Sequence, residues 1–380
     1  MPHAPLSVTF SKSQVLLPDG VTQADLSVAG GLITAEARRT VDASGYMILP
    51  GIVDLHGDGF EHHMAPRRGA QSDPALGLRA VEAELAANGI TTAMLAQFFS
   101  WEGGMRGPDF AETLVRAVAD YQATTDLHIQ LRLEVAISEL FARAAALIAQ
   151  GGISYVVLND HLPHKALAAG KRPPRLTGQA LKSGRSPEAH LEMLQKLHEN
   201  MPRAEIAVAA LTAELRAAQV RIGSHDDRTA EDRNRNRAMG ADICEFPETL
   251  AAAQAAQEAG EPIIMGAPNV VRGGSHDKKI AAEDLISKGW VTALVSDYHY
   301  PSLHRAALKL WDDGMDLSQA WALISAGPAR VMGWRDRGQL MPGLRADLVV
   351  MHAKTRRIEG VVCGGRVTHL TGEFAARMVG

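Results

Sequence analysis

Apolar and polar positions follow two different periods along the chain, and the two periods alternate. Short apolar runs of strand length, such as Ile52–Leu55, are followed by longer segments in which apolar residues recur every three or four positions. In Pro74–Asn88 the apolar residues share one helical face, with an N-cap at Asp73 and a stop at Gly89. This alternation of strands and helices predicts repeated β–α units around a parallel sheet.

Eight strand-like runs follow one another in this way, which favours a closed barrel over an open sheet. The predicted strands cover residues 52–56, 91–97, 128–136, 153–161, 220–225, 241–246, 262–268 and 292–297. The predicted helices cover residues 74–88, 110–121, 138–150, 248–259 and 317–332, with one more around Val208, Leu211 and Leu215. Together they predict a (β/α)8 barrel over residues 51–334. Residues 162–219 contain an irregular insertion, in which the Gly- and Pro-rich stretch Gly170–Ser186 is typical of a mobile lid or a substrate loop.

The two ends of the chain have a different pattern from the middle. Residues 1–50 contain short strand-like runs separated by turns at Gly30-Gly31 and Asp42–Gly45. Residues 335–380 return to the same pattern of short strands and turns. We therefore predict that residues 1–50 and 335–380 pair into one small β domain, with the barrel inserted between its halves.

Composition and charge narrow the classes of function. The net charge is −4, and acidic and basic residues are interspersed along the chain without a basic block. This pattern argues against nucleic acid as a partner. An anionic substrate would therefore need a local cluster of Arg and Lys. No apolar run is long enough for a membrane span, and Met1–Leu16 lacks the core of a signal peptide. The chain has two distant cysteines, Cys244 and Cys363, which exclude a disulfide framework, so we expect a cytoplasmic protein. Its Ala-rich helices would permit a homodimer.

Residues that can bind metal stand at the ends of five predicted strands. They are His56 with Asp58, then Glu134, His161, His225 and Asp297. Because strand ends meet at one face of a (β/α)8 barrel, we expect these six side chains around a common cation. Three imidazoles with carboxylates and no thiolate suit Zn²⁺, Mn²⁺ or Fe²⁺ in an open catalytic site. A bridging Glu134 would let a second ion bind beside the first.

Each of these residues has an ordinary structural alternative. Asp58 and Asp297 could cap helices, and Asp160 could hold the imidazole that follows it. Asp226 and Asp227 are better explained as caps of the next helix than as ligands. The shared metal site is favoured because the structural alternative needs five separate coincidences at equivalent positions.

Several motifs resemble the amidohydrolase superfamily. The segments Leu49–His56 and Gly343–Val350 match its entry strand and its return to the β domain, and Asp297 matches its last-strand aspartate. The His-x-Asp pair at residues 56–58, with Pro66-Arg67, narrows the resemblance to the PhnM family, the α-D-ribose 1-methylphosphonate 5-triphosphate diphosphatases of the carbon–phosphorus lyase pathway. The strongest likeness is Met265–His276, and Ser224–Asp227, Glu245–Pro247 and Ser296–Tyr298 also match.

The resemblance implies hydrolysis of a small phosphorylated sugar, from a triphosphate to a monophosphate and pyrophosphate. The cofactor would be a divalent metal, zinc first, as one or two ions, and Asp297 would contact it and accept a proton. The substrate would be bound by Arg67, Asn269, Arg272, Ser275 and His276, with the Gly273-Gly274 turn presenting backbone N–H groups to phosphate. Residues 57–68 and 162–219 depart from the family pattern, and both should border the substrate.

Two rival classes of function stay open. One is an amidohydrolase or deaminase that acts on a cyclic amide or a nucleobase-like ring, which would release ammonia or open the ring. The other is a scaffold with a decayed site, which would bind no metal. Suitable ligand types at every expected strand end argue against decay.

Overall fold

The computed structural model describes residues 5–67, 73–274 and 279–380. Its strands are β1 (Val8–Leu17), β2 (Gly20–Ala29), β3 (Leu32–Thr34), β4 (Arg39–Asp42), β5 (Tyr46–Pro50), β6 (Ile52–Gly57), β7 (Ile90–Phe99), β8 (Asp126–Glu134), β9 (Tyr155–Asn159), β10 (Arg221–His225), β11 (Ile243–Glu245), β12 (Ile263–Gly266), β13 (Val291–Val295), β14 (Leu348–His352), β15 (Ile358–Cys363) and β16 (Arg366–Leu370). Its α-helices are α1 (Glu61–Met64), α2 (Pro74–Ala87), α3 (Pro108–Asp120), α4 (Phe141–Gln150), α5 (His164–Ala168), α6 (Leu176–Lys182), α7 (Pro187–Ala217), α8 (Ala230–Ala238), α9 (Leu250–Glu258), α10 (Ala267–Arg272), α11 (Ala282–Ser287), α12 (Ser302–Asp312), α13 (Leu317–Ala322), α14 (Ala326–Val331) and α15 (Gly372–Val379).

The eight strands β6 to β13 form one sheet in chain order, and each is followed by at least one helix. The pairings of β6 with β7, of β8 with β9, of β9 with β10 and of β10 with β11 are parallel. A parallel bridge between Gly57 and Asp297 joins the first strand to the segment just after the last. This topology is that of a (β/α)8 barrel and confirms the eight strands that the sequence predicted.

The two ends of the chain share a second sheet. Its strand order is β16-β15-β14-β5-β1-β2-β3, and β4 pairs with β1. Strand β14 lies antiparallel to β5, so the C-terminal segment pairs with the N-terminal segment. Helix α15 covers this sheet with Phe374, whose ring centroid lies 5.9 Å from that of Phe10 and 5.1 Å from that of Tyr46. The predicted pairing of the two ends is therefore seen in the sheet, while its independence as a small β domain of residues 1–50 and 335–380 stays a prediction.

Residue contacts group the chain into two compact units. The first unit contains Met1–Leu95, Tyr121–His128 and Ile264–Gly380, and therefore the whole of the second sheet. The second unit contains Ala96–Asp120 and Ile129–Ile263. The chain passes from one unit to the other inside β7, at the end of α3, inside β8 and inside β12.

Helix α2 forms where the sequence predicted it. Asp73 caps its first turn by accepting a hydrogen bond from the N–H of Ala75, and Pro74 opens the helix. Its apolar face buries Leu78, Val81 and Leu85. The predicted helix over 317–332 is two helices instead, α13 and α14, which are separated at Ser325.

The insertion at residues 162–219 is mostly helical, which corrects the irregular structure that the sequence predicted. The stretch Gly170–Ser186 contains α6, so the expectation of a continuous loop is wrong there. Helix α7 begins at Pro187 and runs for 31 residues, although Pro202 lies inside it. Helices α8 and α12 were also not predicted. Among the residues that the structure describes, no helix combines the length and the apolar character that a membrane span requires.

Candidate functional site

A first group of candidate ligands gathers at the end of β6 and just after β13, in the first unit. His56, Asp58 and Asp297 offer ligand atoms within 4.8 Å of one another. The backbone holds them there, because the N–H of Asp297 donates to the carbonyl of His56 and the N–H of Asp58 donates to the carbonyl of Asp297, each at 2.9 Å. Asp297 has a left-handed backbone, with φ of +55°, which aspartate adopts more readily than most residues. The structure thus brings together three of the six predicted ligands.

Asp54 ties the two strand ends of this first group together. Its Oδ1 accepts hydrogen bonds from the N–H groups of Ser296 (3.0 Å) and His56 (3.3 Å), and its Oδ2 accepts one from the Ser296 hydroxyl (2.5 Å). Asp54 is fully buried, and this burial raises the pKa of its carboxyl, against the opposing effect of the Ser296 hydrogen bonds. Asp54 was not predicted from the sequence, although it stands as a lone carboxylate before His56 in a strand that is otherwise apolar up to that point.

Gly57 makes the close packing around the first group possible. A Cβ atom at this position would lie 2.5 Å from the ring of Tyr300 and 2.8 Å from Oδ2 of Asp54. Any side chain here would therefore push the buried Tyr300 ring away from the end of β6. The glycine of the His-Gly-Asp triplet is thus required by packing.

A second group forms in the second unit around Glu134 and His161. The buried Glu134 carboxylate makes a close hydrogen bond with His161 Nδ1 and also accepts from Trp101 Nε1 at 3.2 Å. Burial alone would lower the pKa of His161, but the Glu134 charge more than offsets it and raises that pKa. A carboxylate on one imidazole nitrogen leaves the other nitrogen for a metal. Asp160 does not hold His161, since its carboxylate bonds to His164 Nε2 at 2.8 Å.

His225 and Asp226 lie beside His161 in the same unit. The three residues offer ligand atoms within 4.8 Å of one another, and His225 Nδ1 is 3.0 Å from Asp226 Oδ2. The prediction that Asp226 caps the next helix is wrong, because Thr229 is the N-cap of α8. Asp226 is therefore an additional candidate ligand that the sequence analysis assigned to a structural role.

Asp227 does not cap the next helix either. Its Oδ2 accepts hydrogen bonds from the Ser224 hydroxyl at 2.7 Å and from Arg233 Nη1 at 3.1 Å. Arg233 is fully buried and also pairs with Glu261 at 3.0 Å. This buried ion-pair network fixes the chain just after His225.

Glu102 is a further candidate ligand that the sequence analysis did not find. Its carboxylate forms a group with Glu134 and His161, again with ligand atoms within 4.8 Å of one another. It also pairs with Arg106, whose Nη1 lies 3.3 Å from Glu102 Oε2. Glu102 follows the end of β7, a strand whose last residues are apolar or amide, so the residue types at the strand end gave no indication of a ligand there.

A cavity of about 110 Å³ opens beside the second group. His161, His225 and Asp226 line it together with Arg235 and Asn236. Its lining thus combines metal-ligand types with groups that can donate hydrogen bonds to an anion.

The Gly273-Gly274 turn does not serve the role that the sequence predicted. Gly273 has φ of +77° and ends α10, and its N–H donates to the carbonyl of Val270 at 3.1 Å. The N–H of Gly274 donates to the carbonyl of Asn269 at 3.1 Å. These N–H groups close the helix C-terminus, so the prediction that they are presented to phosphate is wrong.

The predicted substrate-binding residues are held in different ways. Asn269 is engaged by the backbone, since its Oδ1 accepts from the N–H of Ala282 at 3.1 Å. Arg272 is exposed and donates to the Tyr298 hydroxyl at 2.6 Å, and Arg67 is exposed as well. Ser275 and His276 lie outside the described residues. The substrate-binding roles of all five stay predictions.

The donor sets fit a divalent metal. The three groups of candidate ligands combine imidazole nitrogens with carboxylate oxygens and contain no cysteine. Such borderline-to-hard ligands suit Zn²⁺, Mn²⁺ or Fe²⁺. The prediction that all six sequence-derived ligands serve one centre stays a prediction.

Comparison with known proteins identifies the relatives of this chain. A model of the amidohydrolase family matches residues 67–369. The chain is 30% identical over 368 residues, 91% of its length and 95% of the relative's, to the α-D-ribose 1-methylphosphonate 5-triphosphate diphosphatase of Escherichia coli strain K12.

Solved structures show the same fold at low identity. A prolidase complexed with N-methylphosphonate-L-proline superposes with a TM-score of 0.64 and 14% identity, over 96% of this chain and 100% of that one. A β-aspartyl dipeptidase from Fervidobacterium islandicum AW-1 gives a TM-score of 0.61 and 13% identity, over 97% and 98% of the two chains. With a family model that spans most of its length and a relative aligned nearly end to end, the chain belongs to the amidohydrolase family of hydrolases.

Proposed function

We propose that this hydrolase cleaves α-D-ribose 1-methylphosphonate 5-triphosphate to the 5-phosphate and pyrophosphate, as a step of phosphonate catabolism in the carbon–phosphorus lyase pathway. The observation that carries the proposal is the 30% identity to the Escherichia coli diphosphatase over 91% of the chain. The motif residues that resemble that family include His56, Asp58 and Asp297, which lie together in the structure.

The proposed metal ligands are the residues of the two groups. His56, Asp58 and Asp297 would hold metal in the first unit, and Glu134, His161 and His225 in the second. A divalent cation, with zinc as the best match to these ligands, would supply Lewis acidity that activates water and neutralises charge on phosphoryl oxygens.

Asp297 is the proposed proton acceptor. Its backbone is fixed by hydrogen bonds to the residues at the end of β6, so its carboxylate has a defined position beside His56 and Asp58. In hydrolysis it would take a proton from the attacking water, which makes that water a better nucleophile.

The proposal is tested by turnover with the purified protein. The protein is dialysed against Zn²⁺ or Mn²⁺, given the sugar triphosphate, and assayed for pyrophosphate, while ring opening is measured on cyclic amides and ammonia release on amino-substituted nucleobases. We expect pyrophosphate from the triphosphate, with neither ring opening nor ammonia. Ring opening or ammonia release without pyrophosphate would assign the chain to the amidohydrolase or deaminase class instead.

A variant separates the chemistry from metal binding. Asp297→Asn keeps the size of the side chain and tolerates the left-handed backbone, but it cannot accept the proton. We expect its turnover to fall by about 10²- to 10⁴-fold, with the zinc bound through the other ligands largely retained. Arg143→Gln is the matched control, since Arg143 pairs with Glu112 at 2.6 Å on the surface of the second unit. Turnover by Asp297→Asn near the wild-type rate would exclude Asp297 as the base.

A further inference from the structure

Two arginines lie against one phenylalanine next to the second group of candidate ligands. The guanidinium carbon of Arg132 is 3.9 Å from the centroid of the Phe98 ring, and that of Arg106 is 4.3 Å from it. The Phe98 ring lies 5.8 Å from the His161 ring. The two guanidinium groups thus lie beside a group whose candidate ligands include the carboxylates of Glu134 and Asp226, and Arg106 itself pairs with Glu102.

Arg132 also reaches a candidate metal ligand directly. Its Nη2 is 3.1 Å from Nε2 of His225. A guanidinium can only donate, so His225 Nε2 must supply the lone pair that accepts this hydrogen bond. Arg132 is 4% exposed, and the Phe98 ring supports its guanidinium plane. The contact is thus a built feature of the second unit.

A metal and Arg132 compete for His225. A neutral imidazole has one nitrogen with an available lone pair. A metal on Nε2 would occupy the atom that now accepts from Arg132. A metal on Nδ1 would require the proton on Nε2, which would then have no lone pair for Arg132. In both cases metal binding separates Arg132 from His225.

We propose that Arg132 binds a phosphoryl oxygen of the substrate after metal has displaced it from His225. The inference rests on the proposed function in one respect, the role of His225 as a metal ligand. Phe98 would keep the guanidinium beside the second group when the contact with His225 is lost. The planar N–H fork of arginine matches two oxygens of a phosphoryl group, which no neutral amide substrate offers. Arg132 thus couples metal loading to recognition of a phosphorylated substrate.

The test compares Arg132→Gln and Arg132→Lys with the control Arg143→Gln. Zinc affinity is measured by competition with a chromophoric chelator, and binding of inorganic phosphate to the zinc-loaded protein is measured by calorimetry. Arg132→Gln should bind phosphate at least about tenfold more weakly, because a charge-assisted hydrogen bond is lost. It should bind zinc as tightly as wild type or up to about tenfold more tightly, because a competing cation is gone. Arg132→Lys should bind phosphate about three- to tenfold more weakly than wild type, because an ammonium keeps the charge but not the two-pronged N–H fork, and Arg143→Gln should match wild type.

Several results would overturn the inference. Phosphate affinity of Arg132→Gln within twofold of wild type would show that Arg132 does not bind the anion. A large loss of zinc affinity in the same variant would make Arg132 a support for His225 rather than its competitor. If circular dichroism shows that the Gln variant does not fold, the Lys variant decides by the same twofold criterion. Zinc content unchanged by His225→Asn would show that His225 is not a metal ligand. That result would contradict the proposed function, whereas the first two results contradict only the role of Arg132.

Discussion

Ser296 and Asp54 together position the first group of candidate ligands. The Ser296 hydroxyl donates to the Asp54 carboxylate, which also accepts from the backbone of His56. Ser296→Ala removes the 2.5 Å hydrogen bond and leaves a buried carboxylate oxygen with one donor fewer. We expect a loss of about 1–3 kcal/mol in the free energy of unfolding. We also expect zinc affinity to fall by about 10- to 100-fold, because the Asp54–Ser296 contact helps to orient His56 and Asp297.

Urea unfolding and zinc titration check this prediction. Ser287→Ala is the matched control, because Ser287 is exposed and its hydroxyl donates only to the carbonyl of Asp284. Equal behaviour of the two variants would mean that the Asp54–Ser296 contact does not support the ligands.

His304 gives the protein a pH-dependent stability. Burial, with smaller effects from Arg305 and His299, lowers the pKa of His304 to about 4. The unfolded chain binds a proton near pH 6.5, whereas the folded chain binds it only near pH 4. The stability that neutral His304 provides is therefore present above about pH 6.5 and is lost as the pH falls toward 4, by about 1–3 kcal/mol.

The variant His304→Gln cannot take up this proton. We expect its free energy of unfolding to depend less steeply on pH between 6.5 and 4 than that of wild type, whatever its stability at pH 7.5. Urea unfolding at four or five pH values measures the two slopes. Parallel curves for the two proteins would exclude His304 as the source.

Residue types at strand ends could be predicted from the sequence, while their partners could not. His56, His161 and His225 were found because a barrel brings strand ends to one face. Asp226 was assigned to a helix cap because a carboxylate before a helix usually serves that purpose, and here Thr229 serves it instead. Asp54 and Glu102 were missed because their importance comes from residues more than thirty positions away, such as Ser296 and Glu134.

Among the helices, α7 contains an internal strain that a substitution should relieve. Pro202 is exposed and lies inside the 31-residue helix, where it has no N–H to donate and its ring crowds the preceding turn. Pro202→Ala should stabilise the protein by up to about 3 kcal/mol, less the extra freedom that the unfolded chain gains without the proline.

Pro187 offers the comparison, because it opens the same helix at a position where proline fits well. Pro187→Ala should change the free energy of unfolding by less than about 0.5 kcal/mol in either direction. Thermal and urea unfolding of both variants measure the difference. A stability of Pro202→Ala at or below that of wild type would show that α7 gains from its proline.

The insertion also shows why local patterns predicted the barrel strands better than the helices between them. Barrel strands are short apolar runs, and burial on both sides makes them easy to recognise, as in β7. Helix α7 carries Pro202 and many charged residues, so its amphipathic pattern is clear only near Val208 and Leu215. Helix α12, which begins directly after Pro301, was not predicted.

The two terminal segments of the chain pair in one sheet, and this pairing could be predicted from their shared pattern of short strands and turns. The first fifty residues and the last forty-six share strand-and-turn patterns, and β14 indeed pairs with β5. Long-range pairing of this kind closes a large loop, and the entropic cost of that closure is greater when the residues between the two ends are unfolded. The grouping of β6 and β13 with this second sheet in one compact unit could not be predicted, because it depends on packing rather than on pattern.

A shared ion in the second group has a thermodynamic signature. His161 and His225 both belong to the second unit and offer ligand atoms within 4.8 Å of each other. If both bind one ion, either His161→Asn or His225→Asn removes most of the stabilisation that zinc provides, and the double variant loses little more. The metal-dependent part of the free energy of unfolding should then be less than additive by at least about 1 kcal/mol. A cycle of His225→Asn with Arg143→Gln should be additive within about 0.5 kcal/mol, since Arg143 pairs on the surface with Glu112. Additive losses in the His161–His225 cycle would mean that the two imidazoles do not share an ion.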